Sequence, residues 1–138
     1  MKYLLDTNTV SYFVRGEAAV LARIKATAPD LIVISAVTAM EIEFGLQLNP
    51  ARAKKLAPVI NAFIKSIETL PYTSEDAKAT AAIRASLQKA GKPVGYYDVM
   101  IAGTAIRHGL TLVTSNTKEL SQIGGLRIED WRAETPVG

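Results

Sequence analysis

The sequence predicts an α/β fold, a three-layer sandwich with a parallel central sheet of about four or five strands. Three observations lead there. Short segments such as "LIVIS" and "TLVTS", the first apolar along nearly its whole length, show no alternation of polar and apolar residues. Segments with helical spacing separate them. Apolar residues make up 49% of the 138 residues and charged residues 21%, which suits a soluble chain with a sizeable core. Strands apolar on both faces need helices on both sides, and parallel strands need the crossovers that such helices provide.

Taken in order, Lys2 to Leu5 is the first strand candidate, and Leu31 to Ser35, rich in β-branched residues, is the second. From Leu56 onward Val59, Ile60, Phe63, Ile64 and Ile67 recur at helical spacing and form one stripe. "TSEDAKATAAIRASLQKAG" opens with Thr, Ser and two acids and stops at Gly91, the signals of a helix start and stop. Tyr97 to His108 reads as a further helix, ended by Gly109. Thr111 to Ser115 is the third strand, and "LRIED" is a weaker fourth.

Residues 1–138 read as a single domain without repeats or low-complexity segments. No apolar run approaches the roughly 20 residues of a membrane span, and Asp6 interrupts the N-terminal apolar stretch too early for a secretory signal. The expected location is the cytoplasm. With no cysteine, thiolate catalysis and cysteine-built metal sites are excluded. The single histidine, His108, sits at a helix end, where a role beside the C-terminal dipole suits it. The net charge of +3 is compatible with a polyanionic partner, and "ARAKKL" carries the densest basic cluster, with a solvated helix face as its simpler explanation.

In open parallel sheets ligands bind beyond the carboxyl ends of the strands. Asp6, Thr7 and Asn8 follow the first strand, Glu41 follows the second, and Asn116 and Glu119 follow the third; Asp98 lies in the first turn of its helix. Each acid has an ordinary structural reading. Asp6 suits an Asx turn, "TAME" (Thr38 to Glu41) and "NTKE" (Asn116 to Glu119) suit capping boxes, and Asp98 suits a helix dipole. Those readings scatter the acids, whereas the fold gathers them at one sheet edge. Clustered carboxylates repel by about 4 kcal/mol per pair at about 4 Å and an effective dielectric near 20, and a hard divalent cation removes that cost. Oxygen donors alone suit Mg²⁺, with Mn²⁺ as the second choice, and such ions serve phosphodiester hydrolysis. Thr7 and Asn8 are placed to orient Asp6. Glu43 reads as exposed, and Trp131 as a packing residue.

The ordered motifs "LLDTNTV", "SAVTAMEIEFG", "KPVGYYDVMIAGTA", "LVTSNTKEL" and "GLRIEDW" resemble a PIN-domain ribonuclease, more narrowly a VapC toxin of a bacterial type II toxin–antitoxin pair. The resemblance spans nearly the whole chain. It implies a PIN-like sandwich and metal-binding acids at Asp6, Glu41 and Asp98. Many members have aspartate where this chain has Asn116, so Glu119, one turn on, stands as the alternative fourth acid. Toxins of this group often carry proline where Tyr96 stands.

The resemblance also implies a VapB-type antitoxin, a homodimer within a larger assembly, and an RNA substrate. A tRNA anticodon stem-loop, that of the initiator tRNA above all, is the favoured target, and ribosomal RNA loops come second. Arg15, Arg52, Lys54, Lys55, Lys89 and Lys92 are the candidate phosphate contacts. The rival reading is a catalytically silent PIN-like RNA-binding module. Phosphoaspartyl transferases and receiver domains lack support, because both want a second acid near Asp6 that "LLDTN" does not supply.

Overall fold

The structure, a computed structural model, describes residues 2–132; the ends of the expected domain, residue 1 and residues 133–138, lie outside them. Five parallel strands form one sheet: β1 (Tyr3–Leu5), β2 (Ile32–Ser35), β3 (Glu68–Leu70), β4 (Thr111–Val113) and β5 (Arg127–Glu129). Their spatial order is β3-β2-β1-β4-β5. The helices are α1 (Thr7–Val14), α2 (Ala18–Lys25), α3 (Ala36–Leu48), α4 (Pro50–Ser66), α5 (Ser74–Ala90), α6 (Tyr96–His108) and α7 (Thr117–Leu120). Among the described residues no helix is long and apolar enough to cross a membrane.

Alternation along the central strands divides the core in two. Leu4 pairs with Val33 and Leu112 on one face, packed under α5 and α6 with Ile83, Leu87, Val99 and Ile101. Leu5 pairs with Ile34 and Val113 on the other, packed with Val10, Val20, Ile24 and Phe63. The three central strands thus bury apolar side chains on both faces, as the sequence predicts. Trp131 packs as expected, buried edge-on against Tyr3 with centroids 5.2 Å apart and donating from Nε1 to Glu129. The strand β3 has no counterpart among the sequence-predicted elements. It lies at the sheet edge, with Glu68 and Thr69 exposed, so it lacks the apolar run by which a central strand is recognised.

Two contacts fix α6 on α5. A Cβ at Gly103 would overlap the Thr80 hydroxyl and come within 3.1 Å of the Thr80 backbone nitrogen, so only glycine permits this approach. Toward the far end of α6, Arg107 Nε donates to Asp76 Oδ1 at 2.9 Å. The other carboxylate oxygen of Asp76 accepts from the Thr73 backbone at 2.6 Å, within the capping box that starts α5. Burial alone would push the Asp76 carboxyl up, but bonds from the Thr73 backbone and from Arg107 outweigh it and hold the group below its ordinary value of 3.8.

Gly103→Ala should destabilise the protein by about 1–3 kcal/mol in urea unfolding, because two backbones must separate. For Asp76 the sign is set by its lowered folded value: the unfolded chain binds the proton more readily, so the stabilisation holds above 3.8 and is lost as the pH falls below it. Asp76→Asn should therefore lower the melting temperature at neutral pH and converge on the parent under acid, as scanning calorimetry at graded pH will show.

Candidate active site

Strand order reverses beside β1: β2 and β3 lie on one side of it and β4 and β5 on the other. At such a switch point the connections part and leave a crevice beyond the strand ends. Asp6 stands there, directly after β1, and is 2% exposed. It caps α1, accepting from the Thr9 backbone at 2.8 Å, while its own N–H donates to Val113 of β4 at 3.0 Å. The hydroxyl of Thr9 donates to the same Val113 carbonyl at 3.1 Å. Burial pushes the Asp6 carboxyl up, hydrogen bonds from Thr114 and Thr9 oppose this, and the charge of Asp98 adds to the rise.

Asp98 lies in the first turn of α6 and is half-buried. Burial raises its carboxyl too, the Asn116 bond lowers it, and the Glu119 charge raises it. Asn116 Nδ2 donates to Asp98 Oδ2 and to Glu119 Oε2, at 3.1 Å in both cases. Asn116 precedes α7 without capping it through its side chain, so the box read from "NTKE" does not form. Its amide lies between two carboxylates instead.

Glu41 is positioned by a different helix. α3 starts at Ala36 with Ser35 as its cap, earlier than "TAME" suggests, so no capping box forms on Thr38. The Glu41 carboxylate instead accepts from Thr7 Oγ1 at 2.6 Å, and Thr7 also lies 3.4 Å from the Thr38 hydroxyl. Thr7 thus serves Glu41, Asn8 is exposed, and the groups that hold Asp6 are the Thr9 backbone N–H and the Thr114 hydroxyl. The sequence reading missed both. Thr9 is recognisable as the third residue after a helix-capping Asp, but Thr114 reaches Asp6 only through the β1–β4 pairing. Glu43 is exposed and bonds to Gln47, and His108 is exposed at the end of α6.

The basic candidates lie at the end of α1, on α4 and around the end of α5. Arg15 and Arg52 line a groove of about 290 Å³ between α1, α3 and α4, floored by apolar residues such as Val10, Val14 and Ile42 and reaching Glu41. Lys54 and Lys55 are exposed on α4, outside that lining. Lys89 is exposed on α5, and Lys92 follows α5 on the loop leading to α6.

Among the described residues, no three Asp, Glu, His or Cys side chains converge closely enough to hold a metal ion as they stand. Asn116 holds Asp98 and Glu119, and Thr7 holds Glu41. The donor chemistry nevertheless fits a hard cation. Asp6 and Asp98 are oxygen donors whose charges bear on each other, and Mg²⁺ commonly takes only one or two carboxylates beside its waters.

A family model for the PIN domain matches residues 3–126. The chain belongs to the PIN-domain family. Within that family it is 39% identical over 131 residues to the tRNA(fMet)-specific endonuclease VapC of Shigella flexneri, covering 95% of this chain and 98% of the relative. It is 34% identical over 132 residues to ribonuclease VapC2 of Haemophilus influenzae. In three dimensions this PIN domain superposes with a TM-score of 0.87 on a chain of the DNA-bound VapBC complex from Salmonella typhimurium, at 37% identity, covering 95% of this chain and 98% of that one.

Both site carboxyls are raised above their ordinary value of 3.8, so just above that value the folded protein holds more protons than the unfolded chain. In EDTA, stability should fall as the pH rises through that window. Asp98→Asn should flatten the fall and stabilise the protein at neutral pH by about 1 kcal/mol, well below the bare Coulomb repulsion. Melting curves of both proteins across pH will check this.

Proposed function

We propose that this PIN domain is a metal-dependent endoribonuclease of the VapC type, acting in the cytosol on a tRNA anticodon stem-loop and restrained by a VapB-type antitoxin. The observation that carries this reading is the pair of raised carboxyls, Asp6 and Asp98, at the switch point of the sheet. A silent RNA-binding module would have no use for two acids kept at a cost in stability. The names of the relatives in Shigella flexneri and Salmonella typhimurium support the choice of tRNA.

In this reading Asp6, Asp98 and Glu41 hold Mg²⁺ or Mn²⁺, with Asn116 and Glu119 at its border. The ion, when bound, polarises a phosphoryl oxygen and makes its water a nucleophile at neutral pH. The chain does the rest. The α1 cap, with Thr9 and Thr114, fixes the Asp6 carboxylate, so that little ordering is left for the moment of reaction. Thr7 orients Glu41. Asn116 steadies Asp98 and Glu119 in the absence of the ion and can turn its carbonyl toward a cation.

The groove between α1, α3 and α4 suits the antitoxin. Its apolar floor takes a helix or an extended tail, and at its Glu41 end the acids invite an Arg or Lys from that tail. On α3, Met40, Phe44 and Leu48 are exposed at spacings of four residues, a stripe that supports pairing with a second copy of the chain. Such pairing would bring two sets of basic residues to one RNA.

Sequencing of RNA 5′ ends after brief induction should show one or two cuts in a tRNA anticodon loop, absent for Asp6→Ala and, with purified protein, absent in EDTA. Even scatter over many mRNAs, or cleavage that survives EDTA, would show the reading to be wrong. Mg²⁺ should raise the melting temperature of the parent more than that of Asp98→Asn. Co-expression of the adjacent small gene should restore growth, and the copurified complex should have lost its ribonuclease activity.

A further inference from the structure

The helix that carries Asp98 opens with two aromatic side chains that the fold leaves in water: Tyr96 is 73% exposed and Tyr97 49%. The guanidinium of Arg84, on α5, lies 5.2 Å from the centroid of the Tyr96 ring. Beside this pair is a hollow of about 460 Å³, bordered by Arg84, Gln88, Lys92 and Tyr96, with Leu87 and Val99 in its floor. No carboxylate lines it, and among the described residues neither Arg84 nor Lys92 forms an ion pair.

A flat aromatic face, a planar cation and a free ammonium group make a particular combination. The ring and the guanidinium each offer a stacking surface to a nucleobase, and the ammonium group offers a charge to a phosphate. A base inside a duplex has no free face to offer, so the ligand has to be single-stranded. Asp98 follows Tyr96 by two residues in the first turn of α6 and points to another side of the helix, so a strand whose phosphate lies at Asp98 reaches this hollow by crossing that turn.

We propose that Tyr96 and Arg84 form a stacking site for one unpaired nucleobase flanking the cleaved bond, with Lys92 holding the adjoining phosphate. The site rests on the ribonuclease reading and adds to it the residues that hold one base of the unpaired strand. It also gives a physical role to Arg84, which carries no site signal in the sequence, and to the solvent exposure of Tyr96.

The test is binding in EDTA by fluorescence anisotropy, using a fluorescein-labelled unstructured RNA of about 12 nucleotides and the same RNA annealed to its complement. Tyr96→Ala should weaken single-strand binding about tenfold, the loss of one stacked base, and Tyr96→Phe should stay within about twofold of the parent. Arg84→Ala should fall between them. Duplex binding should not change in Tyr96→Ala, a readout that general damage to the fold would not spare. Single-strand binding by Tyr96→Ala at the parent level would overturn the proposal. So would equal losses for duplex and single strand, or a loss of antitoxin binding alone. Cleavage is measured separately with Mg²⁺: a parent protein that shows these binding differences yet cuts no RNA keeps the base site and loses the ribonuclease reading. A parent that neither binds nor cuts RNA defeats both.

Discussion

A carboxylate as deeply buried as that of Asp6 is unstable unless the fold supplies partners, and much of the local structure can be understood as that supply. The first helix starts immediately after β1, so that its free N–H groups meet the acid. β4 lies next to β1, which brings Val113 and Thr114 alongside. These bonds offset the desolvation in part, and the carboxyl remains raised. What is left uncompensated is a demand for positive charge at the strand switch point, and Asp98 increases that demand.

In this arrangement Asn116 meets part of the same demand. An amide NH₂ has two hydrogens and only partial positive charge, and here each acceptor oxygen, one on Asp98 and one on Glu119, lies within reach of one of them. The amide thereby stands between two acids that would otherwise repel. An aspartate in that place would add a third negative charge and remove the donor. The substitution that looks like a lost ligand in the sequence has a clear electrostatic role in the fold.

The central sheet was legible in the sequence because β1, β2 and β4 are buried on both faces and their residues are correspondingly apolar. The strand β3 was not, since an edge position relaxes the demand for apolar residues. Asp6 and Asp98 could be placed at the site from strand ends and helix starts alone. Their partners could not: Thr114 approaches Asp6 through strand pairing, and Thr7 approaches Glu41 across a gap of 34 residues. The capping boxes read from "TAME" and "NTKE" failed for a local reason. In one the helix starts earlier, and in the other the Asn116 backbone N–H donates to Thr114 while its side-chain NH₂ is turned to Asp98 and Glu119.

The close seating of Gly103 on Thr80 locks α5 and α6 into one rigid hairpin, joined by the short segment from Gly91 to Gly95. Both ends of that segment are anchored while its middle faces water. Changes there, and at the first residue of α6, can vary in shape and chemistry without disturbing the seat of Asp98. The fold in this way separates the frame that seats Asp98 from an exposed segment beside it. On the proposed ribonuclease function, substitutions in that segment would change which RNA is held while leaving the two acids where they are.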